Sequence, residues 1–122
     1  MGGYEFQKEE IKMKVKYKKW NCIVQWSMYY ENNNIAIQLV DEKTKELISV
    51  ATTNTGRRNI ESTVQIKDYS ENEGMWQALV DAGVIKDKIV NTIPTGYVEV
   101  KVAELTEEAK QDFENWLEEW CF

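Results

Sequence analysis

Asn21-Cys22-Ile23-Val24-Gln25-Trp26-Ser27-Met28-Tyr29-Tyr30, followed by Asn32-Asn33-Asn34 and then by Ile35-Ala36-Ile37-Gln38-Leu39-Val40, is the stretch that decides the fold. Cys22, Val24, Trp26 and Met28 alternate with Ile23, Gln25, Ser27 and Tyr29 at the period of two that a strand imposes. Apolar residues on much of both faces place that strand centrally in a sheet. Asparagine tolerates positive φ, so the three consecutive Asn residues predict a reversal into a second apolar strand, hence an antiparallel hairpin.

Outward toward the N-terminus, Ile11, Met13, Val15 and Tyr17 alternate with Lys12, Lys14, Lys16 and Lys18, the pattern of a half-buried strand. Outward toward the C-terminus, Asp41 to Glu46 is a polar turn, and Leu47 to Thr53 reads as the returning strand. Asn54 to Asn59 is read as loop with Arg57 and Arg58 exposed, and Ser62 to Lys67 as a fifth strand. The period then changes. Ser70-Glu71-Asn72-Glu73 fits a capping box, Met75, Leu79 and Ala82 recur at helical spacing, and Gly83 stands where a helix of about twelve residues should end. Ile89 to Ile93 and Tyr97 to Val102 read as strands around Pro94-Thr95-Gly96. Thr106 is placed to cap a second helix whose Ala109, Phe113, Trp116, Leu117 and Trp120 share one stripe. The expectation is an α+β domain over residues 11–122 with an N-terminal extension over 1–10. It comprises a mostly antiparallel sheet of about seven strands and two helices packed on one face, in the order five strands, helix, two strands, helix.

Composition narrows the chemistry. Forty-three per cent apolar residues and fourteen aromatics among 122 positions exclude wholesale disorder. The chain has no histidine, which removes Ser/His and Cys/His nucleophile pairs and imidazole metal sites. Walker, GxGxxG and GxSxG motifs are absent, so no enzyme and no cofactor are expected. Asp68, Glu71, Asn72 and Glu73 gather oxygen ligands without the spacing of a calcium loop, and helix capping accounts for them better than a metal does. Cys22 and Cys121 are too few for a disulfide framework, and free thiols are expected. No apolar run approaches the roughly 18 residues of a membrane span. Met1-Gly2-Gly3-Tyr4-Glu5 lacks the features of a signal peptide, and Phe6 spoils a lipidation signal at Gly2, so a cytoplasmic protein is expected.

The net charge of −6 hides a gradient. Residues 1–30 carry +3, residues 31–66 carry −1 and residues 67–122 carry −8. Two candidate surfaces follow. Lys12, Lys14, Lys16 and Lys18, spaced about 6.6 Å apart along one strand, could track a phosphate backbone, with Arg57 and Arg58 extending the patch and Trp20, Trp26, Tyr29 and Tyr30 offering stacking. Alternating lysine is equally how an edge strand is kept from pairing. The opposite candidate is the last helix, where Glu107, Glu114 and Glu118 are flanked by Glu108 and Asp112. Such a carboxylate stripe can imitate a row of phosphates before a basic protein surface.

Ile66-Lys67-Asp68-Tyr69-Ser70-Glu71-Asn72-Glu73-Gly74-Met75, then Leu79, Ala82-Gly83 and Pro94-Thr95-Gly96-Tyr97-Val98, resembles a family of small uncharacterised bacterial proteins found mainly on phages and conjugative elements. The resemblance covers roughly residues 35 to 105. It implies a shared surface of Asp68, Tyr69, Glu71, Asn72, Glu73, Thr95, Gly96 and Tyr97, and no activity. Its mobile setting, with the segregated charge, suggests a non-enzymatic binding protein whose acidic face engages a host protein. The partner expected is a defence nuclease or effector such as a CRISPR nuclease, making the chain an anti-CRISPR-like inhibitor. An RNA or single-stranded DNA binding module using the Lys12–Lys18 strand is the alternative. A small-ligand or nucleotide-sequestering protein, with a pocket between the Tyr69–Glu73 and Thr95–Tyr97 loops, is the third.

Overall fold

A computed structural model describes residues 13–120. The expected extension over 1–10, together with Ile11, Lys12, Cys121 and Phe122, lies outside the described residues. The described chain is α+β. It runs β1 (Lys14–Tyr17), β2 (Trp20–Met28), β3 (Ile35–Asp41), β4 (Leu47–Val50), β5 (Thr63–Ile66), a 3₁₀ turn (Ser70–Asn72), α1 (Met75–Asp81), β6 (Ile85–Pro94), β7 (Glu99–Leu105) and α2 (Glu107–Trp120). The order of strands and helices is the one the periodicities predict.

The single seven-stranded sheet expected from the sequence is instead two antiparallel sheets, β1-β2-β3-β4 and β5-β7-β6. The reason lies in residues 51–53. Ala51 N–H still donates to the Ile37 carbonyl of β3, but the next residue substitutes its side chain for its backbone, Thr52 Oγ1 accepting from Ile37 N at 3.1 Å. From there the backbone pairs with β5: Thr53 N–H donates to Gln65 O and Lys67 N–H to Ala51 O, around a bridge between Thr52 and Ile66. One chain segment therefore belongs to both sheets in turn, and the ladder bends where the strand changes partner.

Alternation in β1 and β2 sends Val15, Tyr17, Cys22, Val24 and Trp26 to one side, where they join Ile37, Leu39, Val64, Ile66, Met75, Leu79, Leu105 and Ala109 in the main core. Both helices contribute to that cluster, α2 adding the half-buried Phe113 and Trp116. The rings of Trp26 and Phe113 meet edge to face at 5.4 Å, an arrangement worth about 0.5–1.5 kcal/mol beyond area burial. Ile93, Val100 and Val102 form a smaller cluster with Tyr69 and Val98.

The first helix departs from its expected start. Ser70 sits at φ 58 and begins a 3₁₀ turn, so its hydroxyl is not in a capping position. The orphan amides of α1 are met from further back: Asp68 Oδ1 accepts from Gly74 N at 2.9 Å and Trp76 N at 3.3 Å. The helix is seven residues long, not about twelve. Its end is as the sequence predicts. Gly83, at φ +77, donates to Val80 O, and Val84 N–H reaches back to Leu79 O, a Schellman closure. Thr106 caps α2, accepting from Ala109 N at 3.1 Å, and its own hydroxyl donates to Gly83 O at 2.6 Å, tying the start of α2 to the end of α1. No helix of the described residues is long and apolar enough to cross a membrane.

Candidate functional site

The acidic face of α2 is a surface with one exception. Glu107, Glu108, Glu114 and Glu118 are exposed, and Glu107, Glu114 and Glu118 fall within one narrow stripe at 100° per residue. Asp112 is the exception: it is half-buried and accepts a hydrogen bond from Trp26 Nε1 at 2.9 Å, so it anchors the helix to β2. Lys110, the lone cation of α2, pairs with Glu107 at 3.1 Å and Glu104 at 3.9 Å, and the Glu107 hydrogen bond holds its ammonium above the usual lysine range. Glu108, Glu114 and Glu118 make no ion pair among the described residues, and the last turn carries no basic residue. Carboxylates at that end oppose the helix dipole, so they gain nothing from the helix they stand on.

The lysine ladder does not assemble. Lys14 and Lys16 project from β1, but Lys14 pairs with Glu42 at 3.3 Å across the sheet. Lys18 has left the strand: at φ 55 it lies in the β1–β2 turn, and its ammonium donates to Glu71 O at 3.0 Å. Lys12 lies outside the described residues. Arg57 and Arg58 are exposed but stand by the Asn32–Asn34 turn, at the other end of β2 from Lys16 and Lys18, roughly 27 Å along a strand of that length. They do not extend the lysine patch.

The surface implied by the family resemblance divides into support and display. Asp68 caps α1 and pairs with Lys101 at 3.4 Å, while Asn72 is buried, accepting from Ser49 Oγ and donating to Val50 O. The carbonyls of Glu71 and Glu73 both face the Tyr17 hydroxyl at 3.3 Å. The Glu71 carboxylate pairs with Lys67 at 2.6 Å, and that hydrogen bond pulls it below the usual carboxylate range. Thr95 closes the β6–β7 turn through Val98, with Gly96 supplying φ +105. Tyr69 and Val98 each pack against the cluster of Ile93, Val100 and Val102, and Tyr97 is 98 % exposed at the tip. Neither groove described next is lined by any of these residues.

Sequence reasoning missed a groove of about 370 Å³ between the Asn32–Asn34 turn, the loop from Arg58 to Thr63, and α2. Met28, Ile35, Leu105, Phe113 and Leu117 supply its apolar surface, with Arg58 and Glu61 on the loop side and Lys110 and Glu114 on the helix side. That loop is held by buried amides. Gln65 donates to Arg57 O at 2.9 Å and Asn59 Oδ1 at 2.6 Å and accepts from Thr55 N at 3.0 Å. Asn34 donates to Asn54 Oδ1 and Arg57 O and accepts from Asn59 N at 2.8 Å. Networks satisfied this fully fix one conformation. The one signal in the sequence was the concentration of Asn at 32–34, 54 and 59, read only as turn chemistry. A second groove of about 470 Å³ lies between Lys14, Lys16, Asn21 and Glu42 on the sheet and Ala78, Asp81 and Ala82 beside α1, over Cys22. Burial, and secondarily Asp41, pushes the Cys22 thiol above its usual value.

Comparison with known protein families, curated proteins and solved structures gives no match to this chain.

Proposed function

We propose that this chain is a non-enzymatic binding protein that presents the outer face of α2 to a basic surface of a partner protein. In the setting implied by the family resemblance, the partner is a component of host defence such as a nuclease. The observation that carries the reading is the pairing of an anchored helix with uncompensated charge. Asp112, Phe113 and Trp116 fix α2 against β2, while Glu108, Glu114 and Glu118 are exposed and make no ion pair among the described residues, Lys110 being the one cation on a helix of six carboxylates. Charge displayed on an anchored helix steers association and selects partners.

The test is affinity capture from nuclease-treated bacterial lysate, comparing the native chain with the variant Glu107→Lys/Glu114→Lys/Glu118→Lys. A partner retained by the native chain, weakened by salt and absent from the variant is the expected result. Equal capture by both chains rules α2 out as the contact. Capture of nucleic acid alone from untreated lysate moves the reading to the lysine face of β1.

A further inference from the structure

We infer that the outer edge of β1, where it borders α1, is a docking site for an extended segment of a partner protein. The segment pairs with β1 as a further strand and alternates acidic with small apolar side chains. This contact is separate from α2 and does not depend on its role.

The register of the β1–β2 hairpin decides where the backbone of β1 points. Val24 N–H donates to Met13 O at 2.9 Å, and the pairing then runs Lys14 to Ile23, Val15 to Cys22 and Lys16 to Asn21 without a bulge. In an antiparallel ladder alternate residues turn both backbone groups toward the neighbouring strand. Met13, Val15 and Tyr17 are therefore the residues that bond β2. Lys14 and Lys16 turn their N–H and C=O groups outward, about 6.8 Å apart. β1 ends its sheet, and these outward groups have no partner among the described residues. The edges of β4, β5 and β6 are blunted. Asn72 Nδ2 donates to Val50 O on β4, residues 51–53 take the edge of β5, and β6 is bulged twice and ends in Pro94, which has no N–H.

The space beside β1 has the form a strand requires. The groove of about 470 Å³ is bounded by Lys14, Val15 and Lys16 on the sheet side and by Ala78, Asp81 and Ala82 on the helix side. An unpaired strand edge facing a helix across a groove receives extended peptides: main-chain hydrogen bonds hold the segment, and its alternate side chains are read on either face. Side chains opposite Val15 share its face and point toward Ala78 and Ala82, so small apolar residues belong there. Side chains opposite Lys14 and Lys16 share the lysine face. Lys14 is matched by Glu42, Lys16 makes no ion pair among the described residues, and Asp81 is engaged by Gln77 Nε2 at 2.8 Å. Acidic residues at those positions thus meet a cation. A second copy of β1 would set lysine against lysine, which selects against self-pairing.

The probe is a capped peptide of about six residues alternating valine and glutamate, with a valine–lysine peptide as its counterpart. Titration into the native chain at low salt is expected to favour the glutamate peptide by about tenfold, and Lys16→Glu to reverse that order. Two N-methylated forms separate backbone from side chain. Methyl groups on the amides of one residue type should weaken binding by about tenfold or more, and on those of the other by no more than about twofold. Amide exchange on binding should slow at Lys14 and Lys16 and stay unchanged at Val15 and Tyr17. Lys16→Pro, which removes an outward N–H, should abolish binding with the urea midpoint preserved. Should that variant fail to fold, the methylated peptides carry the test on the native chain. Equal sensitivity to both methylation patterns overturns the inference. So do Lys14 and Lys16 amides already protected in the dilute native chain, or a single-stranded oligonucleotide that binds where neither peptide does.

Discussion

Replacing Gln65 by Leu tests whether the amide network orders the Arg57 loop. Gln65 is 1 % exposed and makes three hydrogen bonds, to Arg57 O, Asn59 Oδ1 and Thr55 N. Leucine fills a similar volume but offers none of them. The Arg57 carbonyl keeps its bond from Asn34, so two groups are orphaned, the Thr55 N–H and the Asn59 carboxamide oxygen. An orphaned buried group costs about 1–3 kcal/mol, and both of these are half-buried, which places the sum near 2–3 kcal/mol. At about 4 °C per kcal/mol for a chain of this size, the thermal midpoint should fall by about 8–12 °C. Urea unfolding followed by tryptophan fluorescence should show a lower midpoint at unchanged slope, and amide exchange should accelerate at residues 54–59. A loss below about 0.5 kcal/mol with unaltered exchange in the loop would refute the argument, because the network would then be decoration on a loop ordered by something else.

Asp68→Ala removes the acceptor for Gly74 N and Trp76 N together with the Lys101 pair, and should cost about 1–2 kcal/mol, whereas Ser70→Ala should stay within about 0.5 kcal/mol; urea midpoints compare the two. Asp41 accepts from the amides of Thr44 and Lys43, which hold its carboxyl below the usual range; a folded value lowered in this way gives stability that is present above the unfolded value of about 3.9 and lost as pH falls through the folded one. Asp41→Asn should therefore flatten the decline of stability below about pH 4, read by thermal melts across acidic buffers, and an unchanged decline would exclude Asp41 as a source. The Cys22 thiol, 1 % exposed and pushed up by burial, should react with a disulfide reagent only at the rate of unfolding when measured in a Cys121→Ser background. Rapid labelling of the native protein would show that the groove above it opens.

Much of the architecture was legible because it is carried by periodicity. The alternation through Val15, Val24 and Ile37 and the stripe of Ala109, Phe113 and Trp116 depend only on which side of an element meets the core, and both appear as read. What was not legible depends on single side chains acting across the chain. Thr52 reads as one more β-branched strand residue, yet its hydroxyl is what releases β3 and splits the sheet. Ser70 has the right neighbours for a capping box, but Asp68 is closer in space to the amides of α1. Asp112 lies among acidic residues in sequence, and only the fold brings the Trp26 indole to it. The groove was invisible for the same reason: Gln65 and Asn34 show as polar positions, and nothing local reveals that they close on one loop, one from β5 and the other from the turn before β3.

The segment shared by the two sheets has a consequence for how the chain reaches this structure. β1 to β4 are joined by short turns and pair with sequence neighbours, so they can form as soon as residue 53 has left the ribosome. The second sheet must wait, since β5 finds its partner only when Ala103 meets Val64, and α2, which covers Trp26, emerges last. For that interval the early meander carries Val24, Trp26 and Ile37 on a bare face, with Thr52 and Thr53 poised at its edge for any strand that arrives. The order of contacts along the chain thus leaves the apolar face of the meander dependent on residues far downstream for its cover, so a chain cut before α2 should associate or bind a chaperone where the longer chain does not.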